Sequence, residues 1–270
     1  MRSFLRSVPG LLHLKRFLWY YFTFLKNIIR ISWCSHDGKL FVSHSNGSLM
    51  VLPYRSIWQA EARQLNIMNN GYLQHLGSKY TTNGFKIEHD DIVIDCGAFV
   101  GGFSIAAARL YGAETVIAVE PTPLSRQCLY INSAIHNVAD KIQVVPVGLG
   151  AKAGNFELNI SRSGCDNSFL TPDAGATGEK IMVSVVTFEQ LVSQLGINKN
   201  ANILLKVEAE GLEPEVIKGI AARKPQKIVI DITPERDGIS PVNKLIPMLD
   251  KLGYTLVGQN DRCLFAVFKK

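Results

Sequence analysis

The chain has 270 residues, of which 47% are hydrophobic and 19% charged, and its formal net charge at pH 7 is +6. This length and composition fit one large globular domain with an extension, and they exclude a disordered, collagenous or low-complexity protein. Six basic residues precede the first acidic residue, Asp37, so the remainder carries 23 basic and 23 acidic residues, and we expect no nucleic acid partner.

Residues 1–35 are predicted to form a basic amphipathic arm. Its longest uncharged stretch, Phe17 to Leu25, is well short of the roughly 20 residues that cross a bilayer. As a helix, residues 11–33 would place most of their basic and polar side chains in one arc opposite a broad aromatic and aliphatic face. Such a helix either lies on an anionic membrane surface or packs on protein, and the sequence leaves both open.

The five cysteines are odd in number, widely spaced and without a CxxC pair, which predicts neither a disulfide framework nor a zinc site. The six histidines form no HExxH or HxH arrangement. We therefore expect a cytoplasmic protein in a reducing compartment. The basic arm adds the expectation of peripheral contact with the inner face of the membrane. No sequence pattern indicates the oligomeric state.

Residues 36–89 are predicted to form a small cap. Residues 39–54 alternate in strand fashion around Asn46-Gly47, a strong hairpin signal, and a helix is predicted from Ile57 to Leu76.

From residue 90 to 270 the pattern alternates between short apolar strands and helices. This predicts a doubly wound, mainly parallel α/β sheet of Rossmann-like architecture, whose ligand lies beyond the carboxyl ends of the strands. The predicted strands are 92–94, 115–120, 142–147, 202–207, 227–232, 254–257 and 263–268, with helices at 102–110 and 123–136 among those between them. The chemistry is therefore expected after Ile94, Val119, Val147 and Val207.

The turn after the first of these strands predicts a nucleotide-like cofactor. Gly97 allows a tight backbone turn, and Gly101 allows close packing where the next helix begins. A dinucleotide fingerprint would place a glycine at position 95, where this chain has Asp95. A carboxylate there repels pyrophosphate and suits the amino group of S-adenosylmethionine, while Glu120 is placed to accept ribose hydroxyls. The predicted cofactor-binding residues are Asp95, Gly97, Ala98, Gly101, Glu120 and Gly148.

Three ordered stretches, 91–98, 118–123 and 205–213, resemble the FkbM-type methyltransferases. The resemblance extends over about residues 78 to 232. It implies S-adenosylmethionine as the methyl donor and O-methylation of a hydroxyl, often on a sugar or a polyketide-type natural product. This chain has Glu208 where that family usually has aspartate, which shifts the carboxylate by one methylene.

Acidic residues follow the fourth strand. Lys206, Glu208 and Glu210 alternate, so an extended strand would place them on one face beside the Gly97 turn. We predict that Glu208 or Glu210 is the general base or an acceptor ligand and that Lys206 sets their charge state. Glu213 is predicted either to contact the acceptor or to favour a helix N-terminus near Pro214. We predict that the site holds no metal ion. The alternative is a divalent ion bound by these carboxylates.

Residues 161–180 are predicted to form a long polar connection that acts as a lid or a surface segment. Within it, Asn167 and Ser168 are predicted to meet a small-molecule or glycan acceptor. The prediction for the whole chain is an S-adenosylmethionine-dependent O-methyltransferase. The alternatives are an NAD(P)-dependent oxidoreductase and a non-enzymatic, membrane-recruited nucleotide-binding module.

Overall fold

The computed structural model describes residues 71–162, 164–172 and 175–269, together with the backbone of three strands nearer the N-terminus. These strands, β1 (Ile31–Cys34), β2 (Leu40–Ser45) and β3 (Ser48–Pro53), form an antiparallel sheet in the order β1-β2-β3. β2 pairs with β3 from Leu40↔Pro53 to Ser45↔Ser48, which confirms the predicted hairpin. Of the basic arm predicted over residues 1–35, residues 1–30 lie outside the described residues. The helix predicted over 11–33 is wrong at its end, because Ile31–Cys34 form β1. Most of the helix predicted from Ile57 to Leu76 also lies outside the described residues.

The main sheet has seven strands and forms the body of the molecule. Its order is β12-β13-β11-β10-β4-β5-β6. The five strands from β11 to β6 are parallel, whereas β13 pairs antiparallel with β11 and β12. The strands are β4 (Asp91–Cys96), β5 (Thr115–Val119), β6 (Ile142–Val145), β10 (Asn202–Val207), β11 (Lys227–Asp231), β12 (Tyr254–Gln259) and β13 (Cys263–Phe268).

Helices cover both faces of this sheet. Successive side chains of a strand point to opposite faces, and both faces here are apolar, so each can bury against helices. Leu204 belongs to the core on one face and Leu205 to the core on the other. The doubly wound α/β prediction is thus confirmed. The helices are α1 (Tyr72–Lys79), α2 (Gly102–Leu110), α3 (Pro123–Ile135), α4 (Phe188–Gln194), α5 (Glu213–Lys218) and α6 (Val242–Lys251).

Local signals set where several of these helices begin. Pro123 stands at the start of α3, where its fixed φ and missing N–H carry no cost. Thr187 begins α4 with a capping box, because its side chain accepts the amide of Gln190 while the Gln190 side chain accepts the amide of Thr187. None of the described helices is long and apolar enough to cross a membrane.

A second, smaller sheet was not predicted. It contains β7 (Gly148–Leu149), β8 (Gly154–Ser161) and β9 (Ala176–Val186) in the order β7-β9-β8. The prediction of one continuous connection over 161–180 is wrong at both ends, because β8 includes Ser161 and β9 begins at Ala176. The polar residues of these segments are typical of a loop. They form strands because β8 and β9 pair antiparallel from Gly154↔Val185 onward.

Candidate active site

A cavity of about 440 Å³ lies beyond the carboxyl ends of β4, β5 and β10. β10 and β4 are neighbours in parallel register, with Val207 opposite Cys96, so the segments that follow them meet at this cavity. This is the edge of the sheet where the strand order predicts ligand binding. The predicted residues that line it are Asp95, Gly97, Ala98, Glu120, Gly148, Asn167, Lys206, Glu208 and Glu210.

Gly97 brings the turn after β4 against the segment after β10. Its φ is +76°, and a Cβ at this position would lie 1.9 Å from the carbonyl oxygen of Glu208. The amides of Gly97 and Ala98 both donate to the carbonyl oxygen of Val119, at 3.0 and 3.1 Å. A side chain at position 97 would therefore force the two segments apart. Gly101 lies outside the cavity lining; its φ is +86° and it allows α2 to begin against Leu129.

Glu120 directly follows β5 and is a buried carboxylate at the cavity. Its Oε2 accepts the amide of Phe99 and its Oε1 accepts the amide of Thr122, both at 2.8 Å. Burial raises the pKa of Glu120, while these hydrogen bonds oppose the rise. A carboxylate has about four acceptor positions, so two amides leave capacity for ligand hydroxyls.

Asp95 is paired within the protein at the cavity. Its side chain is fully buried, with Oδ2 accepting the Ser104 hydroxyl at 2.7 Å and Oδ1 lying 2.9 Å from Nζ of Lys206. Lys206 therefore balances the charge of Asp95, and the contact between Asp95 and a cationic cofactor stays a prediction. The buried Lys206 also donates to the carbonyl oxygens of Cys96 and Gly97, at 3.3 and 2.9 Å.

Glu208 lines the cavity and is more exposed than its charged neighbours, with a side chain 27% exposed. Its carboxylate lies 2.7 Å from Nζ of Lys79 and 3.2 Å from Nζ of Lys206, and it accepts the Tyr80 hydroxyl at 2.6 Å. Lys79 also lies 2.6 Å from Asp231. Burial acts to raise the pKa of Glu208, but Lys79 and Lys206 outweigh it and hold that pKa well below its usual range. Glu208 is therefore ionised and a weak base.

We call this group the ionic cluster, and it carries an excess of negative charge. Its two ammonium groups face three carboxylates, so its formal net charge is −1, with the Tyr80 hydroxyl counted as neutral. Its members are Lys79, Tyr80, Asp95, Lys206, Glu208 and Asp231.

Glu210 does not continue the strand as predicted. β10 ends at Val207, and Glu210 has a φ of +50°, so the three residues from Lys206 to Glu210 do not share one extended face. Glu210 is half-buried, and the Ser168 hydroxyl donates to its carbonyl oxygen at 2.9 Å. Burial, followed by the neighbouring carboxylates of Glu235 and Glu208, raises the pKa of Glu210 well above its usual range.

Glu213 supports the turn and does not line the cavity. It is 1% exposed, and its Oε1 accepts the amides of Ala209 and Gly211 at 2.8 and 3.3 Å. Burial raises the pKa of Glu213 to about 7. Its position matches the structural alternative, in which this residue serves the start of α5, and not the predicted acceptor contact.

The two predicted acceptor residues differ in position. Asn167 lines the cavity; its Oδ1 accepts the amide of Ser161 at 2.8 Å, and its Nδ2 donates to Oγ1 of Thr122 at 3.4 Å. Ser168 is 3% exposed and lies outside the lining, where it holds Glu210 in place. Gly148 also lines the cavity, next to Phe169.

Sequence reasoning missed the wall formed by α1 and the turn before β13. The residues of this wall are Tyr72, His75 and Lys79 of α1, Tyr80 directly after it, and Arg262 of that turn. They lie outside the recognisable motifs, so no sequence signal marked them. Burial, followed by Lys79 and Arg262, lowers the pKa of His75.

Within the part of the chain that the structure describes, no group of three His, Cys, Asp or Glu side chains is arranged to hold a metal ion.

The chain is similar to known methyltransferases. The family model described as "Methyltransferase FkbM domain" matches residues 95–256, which is more than half of the chain. The chain is 25% identical over 210 residues to "31-O-demethyl-FK506 methyltransferase FkbM" of Streptomyces tacrolimicus, covering 67% of this chain and 79% of that protein. It is 24% identical over 213 residues to "Methyltransferase sdnD" of Sordaria araneosa, with the same shares covered. Among solved structures, a methyltransferase FkbM from Methylobacillus flagellatus KT aligns with a TM-score of 0.49 at 17% identity, covering 90% of this chain and 58% of that one.

Proposed function

This chain belongs to the FkbM methyltransferase family, and we propose that it transfers a methyl group from S-adenosylmethionine to a hydroxyl oxygen of a sugar, a glycolipid or a small natural product. Membership in this family decides against the oxidoreductase and the non-enzymatic alternatives. The name of the Streptomyces relative, a 31-O-demethyl-FK506 methyltransferase, supports oxygen as the methyl acceptor.

The residues at the cavity fit S-adenosylmethionine. Glu120 offers free acceptor positions for hydroxyl groups at the end of β5, beside the close-packed turn at Gly97. Pro121 and Leu149 add apolar surface to the same cavity. When bound, this cofactor supplies an electrophilic methyl group on a sulfonium centre.

The ionic cluster supplies the charge that selects such a cofactor. S-adenosylmethionine carries a sulfonium, an ammonium and one carboxylate, so its net charge is positive, whereas a pyrophosphate is negative. A buried cluster of net charge −1 attracts the former and repels the latter, because charges in a low-dielectric site are poorly screened. Glu208, the member most exposed to the cavity, presents that charge.

Glu210 is the residue that we assign as the general base, and its position carries the proposal of O-methylation. A hydroxyl must lose its proton as its oxygen attacks, and a carboxyl with a raised pKa is a stronger base than Glu208 once it is ionised. The left-handed backbone at Glu210 and the hydrogen bond from Ser168 orient it beside Glu208, which stays ionised. Asn167 lines the same cavity, where we assign it to orient the acceptor.

Direct binding and transfer measurements test this function. Calorimetry with S-adenosylmethionine, S-adenosylhomocysteine and NAD should show binding of the first two alone. Incubation with methyl-labelled S-adenosylmethionine and fractionated cell extract should then label a hydroxyl-bearing small molecule or glycan. Binding of NAD alone, or label found only on nitrogen or carbon, would contradict the proposal.

We also propose a cytoplasmic location with membrane-surface contact through residues 11–33 and no nucleic acid partner. The thiols of Cys96, Cys128 and Cys263, which the structure leaves unbridged and buried, support a reducing compartment. The balanced charge of the chain after its basic arm supports the absence of a nucleic acid partner.

A further inference from the structure

We propose that Lys79 and Tyr80, which precede the residues matched by the family model, are positioning residues that fix the Glu208 carboxylate at the floor of the cavity. The active site then includes α1, a helix outside the sheet that carries the motifs. This inference deepens the proposed function, since it concerns the same site and names residues that act through Glu208.

The geometry at Glu208 requires both residues at the end of α1. Each carboxylate oxygen has its own partner there, with Oε1 2.7 Å from Nζ of Lys79, the last residue of α1, and Oε2 2.6 Å from the hydroxyl of Tyr80, which follows it. Two partners on two oxygens define the orientation of the carboxylate plane, which one contact cannot do. Lys206 is 3.2 Å from Oε2 and contributes a third, longer contact.

Lys79 also bridges the carboxyl ends of two neighbouring strands, β10 and β11. Its ammonium group lies between Glu208, which follows β10, and Asp231, which ends β11, at 2.7 and 2.6 Å. The side chain is 10% exposed, so this bridge is shielded from water and salt. Tyr80 is fully buried, with its ring edge-on to Phe103 and 4.6 Å from the Lys79 ammonium. Packing therefore holds both residues before any ligand arrives.

Titratable groups from several elements surround Glu208, and they determine the direction in which its pKa should shift when Lys79 is replaced. Lys79 and Lys206 favour its ionised form, as does the hydrogen bond from Tyr80, and burial opposes all three. Removing Lys79 shifts that balance toward burial and the remaining carboxylates, so the proton should stay on Glu208 to higher pH. The groups that face or influence Glu208 are Tyr72, Lys79, Tyr80, Asp95, Lys206, Glu210, Asp231, Glu235 and Cys263.

Carbon-13 NMR of protein labelled at the glutamate δ carbon reads the ionisation of Glu208 without any methyl transfer. The Glu208 signal is assigned by its loss in Glu208→Gln. In the wild type we expect this signal to remain that of a carboxylate through the ordinary glutamate range near pH 4.3. In Lys79→Met we expect its titration to move to higher pH by about one to three units, the usual effect of an opposite charge at this distance.

Three further variants separate positioning from general support of the fold. Lys79→Arg keeps the charge and should titrate like the wild type. Tyr80→Phe removes only the hydroxyl and should raise the midpoint by less than Lys79→Met. Lys227→Met is the matched control, because Lys227 also pairs with a buried carboxylate, Asp91 at 2.7 Å, but at the amino end of the sheet; it should leave Glu208 unchanged.

A functional reading completes the test. Protonation of Glu208 removes the charge that attracts S-adenosylmethionine, so the affinity should fall as the pH is lowered. Calorimetry should show that this fall begins at a higher pH in Lys79→Met than in the wild type. An unchanged Glu208 titration in a folded Lys79→Met protein, or an equal shift in Lys227→Met, would overturn the inference. If Lys79→Met does not fold, an unchanged titration in Tyr80→Phe overturns it instead. A wild type that binds no S-adenosylmethionine contradicts the proposed function alone, since the NMR titration needs no cofactor.

Discussion

Glu208 and Glu210 are two residues apart, yet their environments shift their pKa values in opposite directions. Lys79 and Lys206 lower the pKa of Glu208 against the effect of burial, whereas burial and neighbouring carboxylates raise that of Glu210. Two carboxylates shifted apart in this way suit different tasks, one as a fixed charge and the other as a proton acceptor. The sequence presents them as equivalent candidates, and only their neighbours distinguish them.

Replacing Glu210 by glutamine should abolish turnover but not cofactor binding. Loss of a general base typically costs roughly a hundred- to ten-thousand-fold in rate. Because the base works only when ionised and its pKa is raised, the wild-type rate should rise with pH through that pKa, and Glu210→Gln should lack this rise. Labelled-methyl transfer and calorimetry measure the two effects. Glu215→Gln, in the same segment and paired with Arg236 at 3.1 Å, is the control; a Glu210→Gln protein of wild-type activity excludes it as the base.

Replacing Gly97 by alanine should both destabilise the fold and weaken cofactor binding. The left-handed φ alone costs roughly 1 to 2 kcal/mol, and the Cβ placed 1.9 Å from the Glu208 carbonyl oxygen adds a clash with backbone. Gly196→Ala is a matched control, since Gly196 has a φ of +61° and no atom within 4 Å of the position that a Cβ would take. Urea unfolding should show a larger loss for Gly97→Ala, and equal losses would contradict this account.

At the scale of elements, the small sheet and its connection close one side of the cavity. β8 and β9 pair along most of their length and carry between them the segment with Asn167. Asn167 joins this segment to the turn after β5 through Thr122. The connection is therefore anchored to the cofactor side of the site, and its order should depend on these hydrogen bonds.

Replacing Asn167 by alanine should loosen residues 164–172. Alanine removes the hydrogen bonds to Ser161 and Thr122, and each is worth about 1 kcal/mol, so amide hydrogen exchange in this segment should accelerate roughly five- to thirty-fold. Affinity for S-adenosylmethionine should fall in parallel, because Asn167 lines the cavity. Mass spectrometry after deuterium labelling measures the first effect. Asn155→Ala, at an exposed position of β8, is the control; equal exchange in the two variants would show that Asn167 does not anchor the segment.

At the scale of the whole molecule, buried carboxyl groups make stability depend on pH. The folded state raises the pKa of Glu213 from 4.5 to about 7 through burial. Because the folded state then binds a proton that the unfolded state releases, this contribution to stability is complete below pH 4.5 and is lost as pH rises through 7. Burial raises the pKa of Glu235 to about 8, which acts in the same direction.

Replacing Glu213 by glutamine should reduce this loss of stability. Ionising Glu213 costs the fold roughly 3 kcal/mol by pH 8, and glutamine avoids that cost while keeping an oxygen for the amides of Ala209 and Gly211. Urea unfolding from pH 5 to 8 should therefore show a flatter profile in Glu213→Gln. The exposed Glu157→Gln should follow the wild type. A Glu213→Gln profile as steep as the wild type would contradict the assigned shift.

Deleting residues 1–30 tests the proposed contact with membranes. These residues carry six basic side chains and no acidic one, so we expect the full chain to sediment with anionic vesicles and the shortened chain to remain in solution. Zwitterionic vesicles provide the control for charge. Equal binding by the two chains would exclude the arm as the membrane contact.

Local sequence determined the elements of the main sheet. Near-continuous apolar strands, the glycines after β4 and the residues at helix starts act over a few neighbours, so 202–207, 263–268 and the helix at 102–110 agree with the structure. The same signals place Gly97 and Glu120 at the cavity, because parallel strands bring their carboxyl ends to one edge.

Tertiary structure alone decided what those residues do. Asp95 is balanced by Lys206 from the adjacent strand, and Glu208 is held by Lys79 and Tyr80, about 130 residues earlier in the chain. The small sheet likewise depends on pairing between β8 and β9 and not on a strong local pattern. Charge balance and burial are properties of neighbours in space, so pKa values and roles at this site follow from the packing of α1 against the ends of the strands.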